Sequence, residues 1–169
     1  KMDAMESPFG IPEDLKQDFL DCIAQAQVNR YPDSNSEELH TTIRSFMDIP
    51  SDLGVLLGNG SDELIQLLAM ACNSGDIVMS FEPSFVMYEM VAKFTQLNYQ
   101  GIKLNDKFEI DLENTLKAIT SNKPKLIFIA YPNNPTGNSF DYEAIKEIIK
   151  STDSLVVLDE AYYAYSDKS

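Results

Sequence analysis

From Pro50 onward, short apolar runs alternate with stretches of helical period, and that alternation leaves few folds open to the chain. Val55-Leu56-Leu57, Ile77-Val78-Met79 and residues 99–104, 126–130 and 155–158 read as strands. Residues 62–73, 85–96, 112–119 and 142–150 read as helices between them. Strands separated by helices are joined by crossovers, so the sheet should be mainly parallel and covered on both faces. The expected fold is a three-layer α/β/α domain over residues 51–169, behind a helical arm over residues 1–50. In the arm, Leu15, Phe19, Cys22, Ile23 and Ala26 fall on one face of a helix spanning 12–29. Arg30-Tyr31-Pro32-Asp33 breaks that helix, because proline cannot donate a backbone hydrogen bond. A second helix is expected over 36–47, with Leu39, Ile43, Phe46 and Met47 turned inward.

Charge narrows the partners. Thirteen Lys and Arg against 27 Asp and Glu give a net charge of −14, which disfavours nucleic acid and anionic lipid. No apolar run approaches the ~18 residues that span a bilayer, and the first residues have no signal-peptide core, so a soluble, cytoplasmic protein is expected. Cys22 and Cys72 both fall in helical patterns and are expected as buried free thiols. The single histidine, His40, gives no raw material for zinc and no metal site is expected. It reads as a surface or interface residue.

In open parallel sheets, ligands sit beyond the carboxyl ends of the strands, and three polar clusters lie there. In Gly58-Asn59-Gly60-Ser61-Asp62-Glu63, two glycines permit a tight turn and close approach of the backbone. Ser61 can cap the following helix and leave free amides that suit a phosphate monoester, although a plain capped turn fits the local pattern equally well. Tyr131-Pro132-Asn133-Asn134-Pro135-Thr136-Gly137 follows the strongest strand, and its prolines would hold an Asn side chain with little entropy left to lose. Asp159-Glu160-Ala161-Tyr162 ends an apolar strand in a carboxylate, which should have a cationic partner, or else cap the next helix.

Taken in order, and with Glu82-Pro83-Ser84-Phe85-Val86-Met87-Tyr88 between the first and second, these clusters resemble fold-type I pyridoxal-phosphate aminotransferases. Within that superfamily the sequence looks most like histidinol-phosphate aminotransferases, whose N-terminal stretch resembles residues 3–9 and whose Arg-Tyr-Pro segment resembles Arg30-Tyr31-Pro32. The resemblance covers essentially the whole chain. It implies an enzyme exchanging an amino group between L-histidinol phosphate and 2-oxoglutarate in histidine biosynthesis, with pyridoxal 5'-phosphate as cofactor. Residues 51–169 would then be part of the cofactor-binding large domain, and residues 1–50 a small-domain and dimer-contact segment.

The same resemblance supplies roles. Asp159 would pair with the protonated pyridine nitrogen, strengthening the ring as an electron sink. Asn134 and Tyr162 would hydrogen-bond the phenolic oxygen, and the bond from Asn134 to Pro135 would be cis. Phe85 would stack on the ring, though it also suits a helix face with Met87, Tyr88 and Val91. Gly60, Ser61 and Asp62 would cradle the phosphate through backbone amides; the Asp62 carboxylate, which repels a dianion, would either point away or favour the helix dipole. Tyr31 would reach the phosphate of the neighbouring subunit in a homodimer, although locally it reads as a residue stacked beside Pro32.

The family's Schiff-base lysine lies in a Ser-Lys segment downstream of the Asp-Glu-Ala-Tyr strand. No such segment occurs before Ser169, and Lys168 follows Tyr162 too closely to match it. With two arginines, Arg30 and Arg44, the chain also lacks the set that relatives use for carboxylate and phosphate. These 169 residues are therefore expected to be inactive alone, as part of a protein roughly twice as long or a chain completed by another copy. In relatives two later strands separate the strand at 55–57 from the one ending at Asp159, so the first would here lose its neighbours. A related aromatic amino-acid aminotransferase or threonine-phosphate decarboxylase, or a non-catalytic binding or assembly fragment, would share these features.

Overall fold

The computed structural model describes residues 6–166; residues 3–5 of the N-terminal resemblance, and Lys168, lie outside them. The chain divides between Val55 and Leu56 into two compact units.

The first unit carries α1 (Glu13–Gln25) and α2 (Glu37–Phe46). Neither helix contains a buried residue. The apolar face of α1 is about half exposed, and Phe46 of α2 is 81% exposed, so the inward packing expected of Leu39, Phe46 and Met47 is not made within this unit. A two-helix segment has no third layer to cover both apolar stripes. Cys22, expected to be buried, is exposed on α1 for the same reason. Arg44 ties the end of α2 to the following turn by donating to the carbonyls of Pro50, Ser51 and Leu53.

The second unit is the α/β domain. Four strands, β1 (Ile77–Glu82), β2 (Asn98–Lys103), β3 (Leu126–Ala130) and β4 (Leu155–Asp159), form one sheet in the order β2-β1-β3-β4. Every pairing is parallel. Helices α3 (Ser61–Met70), α4 (Met87–Phe94), α5 (Leu112–Asn122) and α6 (Tyr142–Lys150) supply the outer layers. All five residues of the interior strand β3 are buried, and its alternation divides them between two cores. Leu126, Phe128 and Ala130 pack with Ile65 and Ala69 of α3 and Tyr88 and Val91 of α4. Ile127 and Ile129 pack with Ile119 of α5 and Ile145 and Ile148 of α6. The three-layer architecture expected from the sequence is thus present, with an entirely parallel sheet.

Residues 55–57 are not a strand. An extended segment becomes one only where a neighbour accepts its amides and carbonyls, and the sheet runs from β2 to β4 without them. β4 pairs with β3 on one side only, and its Leu155 is 52% exposed.

Candidate active site

The chain runs from β1 outward to β2, then returns across β1 to β3, so the strand order reverses between β1 and β3. At such a switch point the connections leave in opposite directions and open a crevice beyond the carboxyl ends of the strands. Two proline turns occupy that position. Residues 82–85 leave β1 through a cis Glu82–Pro83 bond, and residues 131–137 leave β3 through cis bonds at Tyr131–Pro132 and Asn134–Pro135.

The turns are fastened together by Asn133, which is 1% exposed. Its Oδ1 accepts from Ser84 Oγ at 2.8 Å, and its Nδ2 donates to the Pro83 carbonyl at 3.0 Å and to Thr136 Oγ1 at 2.7 Å. Adjacent Asn134 behaves differently: its side chain makes no hydrogen bond to another described residue, and it lines a small cleft. Phe85, Tyr88, Pro132, Asp159, Tyr162 and Ser61 line the same cleft. Its free volume is about 20 Å³, room for roughly one water. A hollow of about 690 Å³ shares Phe85 with it and is lined by Glu82, Glu89, Tyr99 and Lys103. That hollow is larger, but the convergent polar groups are in the cleft, and chemistry follows the groups rather than the volume.

Asp159 closes β4 opposite Ala130, and its backbone carbonyl accepts from Tyr131 N at 2.9 Å. Its carboxylate is held by neutral donors. Tyr88 donates from its hydroxyl to Oδ2 at 2.8 Å, and the Ala161 amide donates to Oδ1 at 3.2 Å. The cationic partner expected for it is absent among the described residues, whose ion pairs do not include Asp159. The helix-capping alternative is not met: the helical turn that follows, Tyr163–Tyr165, has no side-chain cap, and the Ala161 amide that Asp159 holds precedes it. Burial, then the neighbouring Asp159 carboxylate, push the Tyr88 phenol well above the ordinary tyrosine range.

Gly60, not Ser61, is the N-cap of α3, and no side chain caps that helix. Gly60 takes φ +82°, a conformation that suits glycine, which moves Ser61 into the first turn. Instead Glu63 reaches back to accept from the Asn59 amide, and the amides that open the helix have no side-chain cap. Ser61 lines the cleft; Gly60 does not, and Asp62 is exposed. Phe85 precedes α4 rather than belonging to it, and meets Tyr88 edge-on at 5.6 Å. Tyr31 lies in the first unit with its side chain fully exposed, so it does not stack within that unit. Six sequence-derived candidates thus meet at or beside one cleft: Ser61, Phe85, Asn134, Asp159 and Tyr162 on its wall, with Gly60 adjoining Ser61.

Sequence reasoning missed Tyr88 and Asn133 as individuals. Tyr88 read as one more apolar position on a helix face, and Asn133 was indistinguishable from its neighbour within the turn. A tyrosine where phenylalanine would fill the same core was the available signal.

An acidic strand end, a rigid Asn-Pro turn and a helix without a side-chain cap thus meet at the switch point of a parallel sheet. The chain belongs to the aminotransferase class I and II family, whose profile matches residues 1–169. Its relatives are narrower in kind. A histidinol-phosphate aminotransferase of Vesicomyosocius okutanii is 62% identical over 100% of this chain and 48% of its own length. One of Thiocapsa roseopersicina is 48% identical over 94% of this chain and 85% of its own length. This chain therefore spans about half the length of the first of these relatives. Among solved structures, the histidinol-phosphate aminotransferase of Clostridium acetobutylicum matches with a TM-score of 0.79 and 25% identity, over 93% of this chain and 46% of that one. That of Sinorhizobium meliloti, solved in complex with pyridoxal-5'-phosphate, matches in fold with a TM-score of 0.83 at 21% identity, over 96% of this chain and 44% of that one.

Proposed function

We propose that this chain is the cofactor-binding portion of an aminotransferase that moves an amino group between L-histidinol phosphate and 2-oxoglutarate, in the cytoplasm, with pyridoxal 5'-phosphate as cofactor. The observation that carries the reading is the Asp159 carboxylate, held among the described residues by neutral donors alone, in one cleft with Asn134, Phe85 and Ser61. A carboxylate so placed demands a cation to offset its partial desolvation, and a protonated ring nitrogen supplies one. The residues therefore fit the cofactor. When bound, it supplies a ring that withdraws electrons from the substrate's α-carbon.

In this reading Asp159 keeps the ring nitrogen protonated. Asn134 and Tyr162 donate to the phenolic oxygen and fix the ring's rotation, while Phe85 covers one ring face. The amides at the start of α3, from Gly60 through Ser61 and Asp62, receive the phosphate, and the helix dipole favours the anion there. Tyr31 would serve the phosphate of the second subunit of a homodimer. No described lysine lines the cleft.

The test is titration of the chain with pyridoxal 5'-phosphate, followed by fluorescence and absorbance. Saturable micromolar binding that Asp159→Ala weakens at least tenfold is expected; no binding, or binding indifferent to that change, overturns the cofactor assignment. The substrate assignment is tested separately with a form spanning the length of the relatives, offered histidinol phosphate, aromatic amino acids and threonine phosphate. Preferential turnover of either of the latter two would overturn it.

A further inference from the structure

We propose that Tyr88 is a positioning residue whose hydroxyl orients the Asp159 carboxylate toward the ring nitrogen of the bound cofactor. This rests on the cofactor reading above and adds a residue to it. The ring of Tyr88 is 1% exposed and has no freedom: it stacks parallel on Phe128, centroids 4.9 Å apart, and meets Phe85 edge-on. Its hydroxyl is thereby delivered to Asp159 Oδ2 at 2.8 Å. With Ala161 N on Oδ1, both oxygens are anchored and the plane of the carboxylate is set.

Core packing alone does not account for this hydroxyl. Phenylalanine would fill the same space between Phe128 and Phe85, whereas burying a hydroxyl costs free energy unless it finds a partner, and among the described residues the partner it finds is Asp159. The choice of donor also matters electrostatically. A lysine or arginine on Asp159 would neutralise it and compete with a cationic ligand; a phenol orients the carboxylate and leaves its charge for the ligand. Because its proton is held far more tightly than in an ordinary tyrosine, Tyr88 stays a donor throughout the working pH range. The same ring buttresses Phe85, so one side chain sets both the carboxylate and the stacking wall of the cleft.

The experiment compares pyridoxal 5'-phosphate with its 1-deaza analogue, in which a carbon replaces the ring nitrogen, on the wild-type chain and on Tyr88→Phe. Tyr88→Phe should weaken pyridoxal 5'-phosphate binding about tenfold and change binding of the analogue less than twofold. In an Asp159→Asn background the added Tyr88→Phe should have no further selective effect. Equal loss for both ligands, or no loss for either, overturns the assignment while leaving the cofactor reading intact; a wild-type chain that binds neither ligand overturns the cofactor reading itself. Should Tyr88→Phe fail to fold, the hydroxyl proton resonance of Tyr88 decides the matter in the wild type. It should shift on binding pyridoxal 5'-phosphate and stay within its free-state position on binding the analogue, and a resonance indifferent to both overturns the proposal.

Discussion

The side-chain oxygen of Asn133 accepts a hydrogen bond from the Ser84 hydroxyl, joining two turns 49 residues apart in the chain and carrying Phe85 and Asn134 to the same cleft. Asn133→Ala removes this bond and two more, those to the Pro83 carbonyl and to Thr136. We expect a loss of about 3 kcal/mol, from three hydrogen bonds at about 1 kcal/mol each. Urea unfolding checks it: a midpoint unchanged from wild type would show that the two turns hold their places without the clamp.

Gly101 on β2 lies beneath the side chain of Glu82, and a Cβ at position 101 would collide with its carboxylate. Gly101→Ala should therefore destabilise the wild type by roughly 1 kcal/mol, a displaced flexible side chain being a modest cost. In a Glu82→Ala background the obstacle is gone, and the same change should stabilise, because glycine weakens a strand interior. A double-mutant cycle by thermal melting reads the sign. The same sign in both backgrounds contradicts the contact.

The two cysteines should react at different rates. Burial first, then nearby Asp76, push the Cys72 thiol above its ordinary pKa, and its Sγ donates to the Leu68 carbonyl at 3.6 Å. Cys22 is exposed. At pH 8 iodoacetamide should label Cys22 about tenfold faster than Cys72, since only the thiolate reacts. Peptide mass spectrometry over a time course gives both rates, and comparable rates would contradict the partial burial of Cys72.

Alkaline stability follows from the buried phenols. Burial, then Glu82 and Glu89, push the Tyr99 phenol up to about 12 from an ordinary value of 10.0, and Tyr88 moves in the same direction. Below the unfolded value both states hold the proton and pH has no effect through these groups. Between the unfolded and folded values the unfolded state releases protons that the native state keeps, so stability falls as pH rises from 10 toward 12. Urea midpoints measured at pH 9, 10 and 11 should decline over the upper interval, and Tyr99→Phe should flatten the decline. A decline identical in the variant would remove Tyr99 as its source.

The α/β part of this fold was legible because its signals are local. Residues 126–130 form an apolar run bounded by breakers, and β3 occupies those positions as a strand buried on both faces. Residues 55–57 carry the same apolar signature but no neighbour to pair with, and pairing is a property of other parts of the chain. The helical period of residues 12–29 gave α1, yet period alone does not say what covers an apolar face, and Leu15, Phe19 and Ile23 remain about half exposed. At the site, Asn134 and Asp159 stood out through the turn and the strand end that present them. Tyr88 did not, since its partner lies 71 residues away and only the folded chain brings the two together.

Asp159 rides the outermost strand of the sheet and Asn134 follows an interior one, joined by the ladder that sets Ala130 opposite Asp159. A slip of one residue along that ladder would turn the carboxylate to the reverse side of the sheet, and a slip of two would carry it some 7 Å from the Tyr88 hydroxyl. The alignment of two short strands is therefore the tolerance to which this cleft is built, and mispairing at that seam during folding would yield a sound sheet with a blind site.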